Sequence, residues 1–363
     1  HDVMAAIHAW GEQAPRARPI LHLGATSCYV TDNGDLLICH QALQLLRRRL
    51  QDVIAALAYF AGQWQDQPTL GFTHFQPAQP TTVGKRACLW IQDLLLDLED
   101  LDHLRATTPV RGVKGTTGTQ ASFLELFDGD GAMVDALERR VCEKLGLPAI
   151  PISGQTATRK LEDRIGQVLC GIAASASKFA CDLRLLQHLK EVEEPFEKAQ
   201  IGSSAMPYKR NPMRSERINS LARFVLGLLP STYQTSATQW MERTLDDSAH
   251  RRLTISQGLL AVDAILVLYR NVASGLVVHP KMIEARLAQE LPFMAAEVLL
   301  MEAVKRGGDR QDLHERFRVA SLAAGKAIKE EGRPNPLLQL LATDPAWRMT
   351  EAELAGLLDT ARF

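Results

Sequence analysis

Between Lys160 and Leu189 the apolar residues Ile165, Val168, Ile172, Ala176, Phe179, Leu183 and Leu186 recur at three- and four-residue intervals, with no proline among them. The spacing predicts one amphipathic helix, about 45 Å long at 1.5 Å per residue. A helix of that length cannot bury its stripe in a small core and needs partners of matching length. The sequence supplies them. After the turn-prone TDNGD, where Asp32 or Asn33 is placed to cap a helix, Leu43, Leu46, Leu50, Val53, Leu57 and Phe60 keep the same period. Further helical regions run from about Arg214 to Gln239 and from about Leu245 to Ala273. Together they predict a bundle.

Strand signals are sparse, because no β-branched alternation bounded by turn residues extends over a useful length. The fold class expected is therefore all-α. Non-helical interruptions fall at THFQPAQPTT, TPVRGVKGTTGT, LPAIPISGQT, EEPFEKAQIGSSAMPYKRNP and VVHPK. Polar groups fit for chemistry crowd into the first four, as expected of loops held between rigid helices. Beyond His279 the pattern reads as a smaller helical module.

The 363 residues carry 41 basic and 42 acidic side chains, so no net field favours nucleic acid or a membrane surface. Any anionic substrate must be held by a local cluster. Cys28, Cys39, Cys88, Cys142, Cys170 and Cys181 are scattered without CxxC or zinc-ligand spacing, which predicts reduced thiols and no metal site. No apolar run reads as a membrane span, and HDVMAAIHAW lacks the basic start and apolar core of a signal peptide, so the expected location is cytoplasmic. The glycine-rich GVKGTTGTQ has neither GxxxxGK[ST] nor a preceding strand, which argues against an ATPase.

The segment Gly202–Pro212, GSSAMPYKRNP, joins a flexible glycine, the adjacent hydroxyls of Ser203 and Ser204, and the cations Lys209 and Arg210. Such a strip can close over an anion. It meets every fixed position of GSSxMPxKxNP and so resembles the mobile loop of the fumarase and aspartase superfamily. The continuation MRSE, with Tyr208 and Arg210, resembles the adenylosuccinate lyase family more than fumarase, aspartase or argininosuccinate lyase. Family-like strings follow in order along the chain: HDVMA, LHLGATSCYVTDN, GFTHFQPAQPTTVGKR, RGVKGTTGTQASF, GQTATRK and TLDDSAHRR.

The resemblance implies a fumarase/aspartase-like long central helical bundle with smaller helical end domains. Residues 1–28 would be the remainder of a truncated N-terminal helical domain, 29–275 the central bundle with a catalytic loop at 200–213, and 276–363 a C-terminal helical domain. An Arg-Tyr phosphate-binding pair of the family would lie upstream of His1. The implied reaction is β-elimination of fumarate from a succinylamino nucleotide: adenylosuccinate gives AMP, and the succinyl-carboxamide imidazole ribotide SAICAR gives AICAR. No cofactor is expected. Ser203 would be the general base, made less costly to ionise by loop N–H groups and a nearby cation. His74 would be the general acid for the leaving nitrogen. Lys209 would hold a substrate carboxylate, and Glu216 would orient His74. His1, Asp2, Thr26, Ser27, Thr73 and Gln155 would contact substrate, and Arg217, Ser248 and Arg252 its phosphate. Thr116, Thr117 and Thr119 would belong to an inner loop near the dicarboxylate. The expected partners are small-molecule nucleotides and three further copies of the chain, in a homotetramer with shared active sites. Two other readings stay open: another lyase of the superfamily, such as argininosuccinate lyase or carboxymuconate cycloisomerase, and a truncated homologue without catalysis.

Overall fold

A computed structural model describes residues 2–197, 200 and 205–360. The helices up to the middle of the chain are α1 (Asp2–Gln13), α2 (Ser27–Gln63), α3 (Val83–Thr107), α4 (Ala121–Leu126), α5 (Gly131–Leu145) and α6 (Lys160–His188). They are followed by α7 (Met213–Thr238), α8 (Asp247–Ala273), α9 (Pro280–Met294), α10 (Ala296–Lys305), α11 (Arg310–Glu331), α12 (Leu337–Thr343) and α13 (Glu351–Gly356). A hairpin of β1 (Pro68–Thr73) and β2 (Gln76–Thr82) separates α2 from α3, and two-residue strands β3 (Val192–Glu193) and β4 (Val277–Val278) pair antiparallel. The all-α expectation holds.

The chain forms two compact units, each from three separate stretches. The first takes His1–Ala56, Trp90–Arg184 and Phe196–Gly275; the second takes Leu57–Leu89, Leu185–Pro195 and Leu276–Phe363.

In the first unit the stripe seen in the sequence is the buried face of α6. Ile172, Ala176, Phe179 and Leu183 have no exposed surface. Phe179 stacks on Tyr269 of α8 with ring centres 4.1 Å apart and receives the edge of Trp90 of α3 at 5.0 Å. Burying a side chain of this kind contributes about 1.5–3 kcal/mol, which is what makes helices of this length settle against one another. The α6–α7 seam adds a polar tie: Asn219 donates to the Ser177 carbonyl at 2.9 Å and accepts from Arg184 at 3.0 Å.

Two sequence expectations are corrected here. Helix α2 starts at Ser27, so Asp32 and Asn33 lie inside it and cap nothing. Both are satisfied laterally instead: Asn33 exchanges two hydrogen bonds with the backbone of Gly112, and Asp32 accepts from Ala157 N–H at 2.7 Å. Partners distant in sequence thus remove the usual penalty of such residues within a helix. Secondly, α8 is long and apolar enough, by length and composition alone, to cross a membrane. Its Val262, Ile265, Leu266, Tyr269 and Val272 are buried within the first unit, while Leu260 and Val267 on the same helix are exposed.

The second unit holds the β1–β2 hairpin, which the sequence presents only as an interruption. Pro77 and Pro80 stand opposite Phe72 and Leu70. Proline withholds a backbone donor, which a two-stranded ribbon tolerates because each strand has an open edge. The remaining helices enclose a core of Leu299, Leu300, Leu313, Leu337, Leu341, Trp347 and Leu354. Helix α11 is fixed at one end by Asp309, which caps Gln311 and Asp312 N–H, and at the other by Gly332 in the left-handed conformation.

Candidate active site

Five of the residues singled out in the sequence meet in the first unit. Asp2, Ser27, Gln155, Ser248 and Arg252 line a single pocket of about 220 Å³. They arrive from three helices and a loop. Asp2 is the first residue of α1 and Ser27 that of α2, while Ser248 and Arg252 occupy the first turns of α8, one helical turn apart. Arg252 donates to the Ser248 carbonyl at 2.7 Å and also to its hydroxyl, so the two present one donor surface. Gln155 is held by its backbone N–H on the Glu242 carbonyl at 2.9 Å.

The loops behind Gln155 are tightly constrained. Arg111, wholly buried, donates to the carbonyls of Lys114, Gly115 and Gly154 at 3.1, 2.9 and 3.0 Å, stitching two loops together. Gly118 has φ +84°, and a Cβ there would stand 1.7 Å from the Ser153 carbonyl oxygen. Only glycine allows that approach. Thr116, Thr117 and Thr119 lie in this region but do not line the pocket.

The structure adds residues that periodicity could not select. Arg243 and Arg251 join Arg252 in the lining, facing the acids Asp2, Asp32 and Asp35. Burial opposes charge on Arg251, but Glu162, Asp32 and Asp35 outweigh it and hold that guanidinium above its ordinary value. Desolvation pushes the carboxyl of Glu162 up, against the pull of Arg251 and Arg159. Cys28, also in the lining, is raised chiefly by burial, and all six cysteines are free thiols. Three guanidiniums converging beside a hydroxyl and an amide suit an anion with several acceptor oxygens.

Of the signature loop, Gly202, Ser203 and Ser204 lie outside the described residues, as does His1. The described part makes a turn closed by Lys209 N–H on the Met206 carbonyl at 2.9 Å, with Lys209 exposed. Arg210 packs over the Phe196 ring at 5.3 Å. Helix α7 follows at once. Glu216 is in its first turn, 4.0 Å from Arg184, and Arg217 lines a separate pocket of about 370 Å³ with Glu197, Gln200, Met213 and Arg214. Arg217 is thus not brought to the pocket of Ser248 and Arg252. Thr26 is buried, and its carbonyl accepts from Tyr29 N–H at 2.9 Å.

In the second unit, His74 and Phe75 are the two central residues of the β1–β2 turn, with Thr73 paired to Gln76 on either side. Their φ values are +54° and +57°. Two-residue hairpins favour this geometry, which Asn-Gly adopts cheaply and a phenylalanine does not. Strain of this kind gathers at functional sites, and it holds His74 exposed at the hairpin tip. Among the described residues no group of three or more His, Cys, Asp or Glu side chains could hold a metal ion.

Comparison with known proteins accords with this arrangement. The chain matches the lyase family over residues 2–227 and the adenylosuccinate lyase C-terminus over residues 292–363. It is 52% identical to adenylosuccinate lyase of Saccharomyces cerevisiae over the whole of this chain and 76% of that protein, and 50% identical to that of Schizosaccharomyces pombe with the same coverage. The enzyme of that name from Pyrococcus abyssi is 32% identical, over 98% of this chain and 77% of its own. Among solved structures, the 3-carboxy-cis,cis-muconate lactonizing enzyme of Pseudomonas putida superposes with a TM-score of 0.84 at 25% identity, covering 99% of this chain and 78% of that one. A fumarate lyase from Mesorhizobium gives 0.81 at 24%, over 99% and 79%, a likeness of fold. The ordered motifs, the long-helix fold and these relatives together place the chain in the adenylosuccinate lyase family, as an enzyme of the lyase class.

Proposed function

We propose that this enzyme cleaves the C–N bond of adenylosuccinate to give AMP and fumarate, and of SAICAR to give AICAR and fumarate. The observation that carries the reading is the pocket where Ser248, Arg252 and Gln155 meet Arg243 and Arg251. A nucleotide phosphate, remote from the bond that breaks, supplies binding energy that orients the succinyl end. Ser203 removes the β-proton, and Lys209 stabilises the charge that builds on the adjacent carboxylate. His74 then protonates the departing nitrogen, with Glu216 favouring its charged form. Asp2, Thr26, Ser27, Thr73 and Gln155 hold the substrate, with His1 beside Asp2, and Arg217 adds a further cation. The chemistry requires no cofactor.

We further propose a homotetramer with active sites shared between subunits, working in the cytoplasm. Large apolar side chains stand exposed along the first unit's helices: Ile38 is 62% exposed, Leu96 53%, Phe224 47% and Leu260 65%. Patches of this kind mark association surfaces.

The decisive experiment follows fumarate release from adenylosuccinate and from argininosuccinate by the purified chain and by its Ser203→Ala variant. Release from adenylosuccinate alone, lost in the variant, is the expected result. Release from argininosuccinate instead removes the nucleotide reading, and undiminished activity in the variant removes the assigned base.

A further inference from the structure

Beside the pocket lies a side chain that lines not it but an adjoining cavity of about 180 Å³, which Asp32, Glu162 and Arg251 also line. Arg159 precedes α6, is 3% exposed, and is surrounded by carboxylates from three helices. Its distances are 2.7 Å to Asp247 of α8, 3.2 Å to Asp32 of α2 and 3.4 Å to Glu162 of α6.

Each carboxylate also holds a group that faces the pocket. Asp247, fully buried between Leu245 and Ser248, pairs with Arg243 at 3.4 Å. Glu162 binds Arg251, and Asp32 stands 3.9 Å from the same guanidinium. Asp32 also fixes the backbone at Ala157, two residues beyond Gln155.

We infer that Arg159 is a positioning residue, which holds these three acids so that Arg243 and Arg251 stay directed at an anionic ligand group. The inference rests on the nucleotide reading above. Its physical basis is charge balance in a poorly solvated place. Three carboxylates out of water require cations. With Arg159 present, part of that requirement is met from outside the pocket, and Arg243 and Arg251 keep capacity for the ligand. Without it, the same acids draw Arg243 and Arg251 inward. Lysine does not substitute fully, because a single ammonium cannot span three acids as a planar fork does.

The test compares Arg159→Met and Arg159→Lys with the wild-type chain on adenylosuccinate and on its phosphate-free nucleoside, succinyladenosine. The expected result for Arg159→Met is a KM for adenylosuccinate raised about ten-fold or more with kcat within about three-fold, while kcat/KM for the nucleoside changes less than about two-fold. Arg159→Lys lies between. Equal losses on both substrates, or an unchanged KM, overturn the inference, since general damage to the fold does not distinguish a phosphate. If circular dichroism shows Arg159→Met unfolded, the same comparison made on Arg159→Lys decides. If the wild-type chain cleaves neither substrate, the functional reading fails separately. Calorimetry of AMP against adenosine then judges Arg159: a loss confined to AMP upholds it and a loss shared by both refutes it.

Discussion

Arg86 donates a hydrogen bond to the carbonyl of Leu70, four residues before His74, and its guanidinium lies 5.7 Å from the centre of the Phe72 ring. The hairpin that presents His74 is thus anchored from α3. Behind it sits Glu191, 1% exposed, with Arg286 at 3.0 Å. Burial pushes the Glu191 carboxyl up, opposed by Arg86 and Arg286. Arg86→Met removes the anchor and one of the two cations. Turnover should fall about ten- to one-hundred-fold with a smaller change in KM, because displacing His74, the proposed general acid, affects the chemical step. Thermal unfolding should show a loss of about 3 kcal/mol from the half-compensated acid. Steady-state kinetics and calorimetric melting check the two parts.

The turn itself makes a separate prediction. Phe75 holds φ +57° while its ring stays close to Phe72, centres 5.5 Å apart. Asparagine tolerates that backbone far better. Phe75→Asn should therefore slow hydrogen exchange at the Thr73 and Gln76 amides, with a local gain of about 0.5–1 kcal/mol less whatever the ring contact contributes. Faster exchange would show that the ring contact outweighs the strain.

Asp97 sets a pH dependence. It is 8% exposed on α3, and burial raises its carboxyl to about 6, with Asp100 and Asp93 adding to the rise and Ser175 opposing it. In the unfolded chain the value is about 3.9. Between about pH 4 and 6 the native state therefore binds more proton than the unfolded state, and stability falls as pH rises through that window. Above it the full penalty stands, about 3 kcal/mol for two pH units. Asp97→Asn should stabilise the protein at pH 7.5 and have little effect at pH 4. Urea unfolding at both values reads the difference, and an equal effect at the two would refute the assignment.

Gly118→Ala should be among the most damaging single-methyl substitutions in the first unit. The new Cβ would need room now filled by the Ser153 carbonyl, at a φ of +84°. The cost is about 2–4 kcal/mol, from strain and overpacking together. Since Ser153 is two residues from Gln155, KM should rise in the fraction that folds. Denaturant midpoints and substrate titration measure these effects.

Long helices were legible because periodicity reports burial directly: the residues from Ile165 to Leu186 form the inner face of α6. The start of α2 was not, because Asp32 and Asn33 look like caps until their partners Ala157 and Gly112 are brought beside them. The hairpin was hidden by Pro77 and Pro80, which weaken a strand pattern while remaining compatible with an open ribbon edge. Within the pocket, Ser248 and Arg252 were readable from TLDDSAHRR. Arg243 and Arg159 were not, since a lone arginine in a loop resembles an ordinary surface charge until the fold places a carboxylate against it. Ser203 and His1 rest on motif alone, lying outside the described residues.

The interleaving of the two units bears on how the chain matures during synthesis. The first unit takes its last stretch from Phe196–Gly275, so its core cannot close until α8 has left the ribosome. By then α2, α3, α6 and α7 have already emerged, and the segment that most resembles a membrane span meets ready-made partners on arrival. Placing the helix with the span-length apolar run last in its unit keeps short the time for which a targeting factor or a neighbouring nascent chain can capture it.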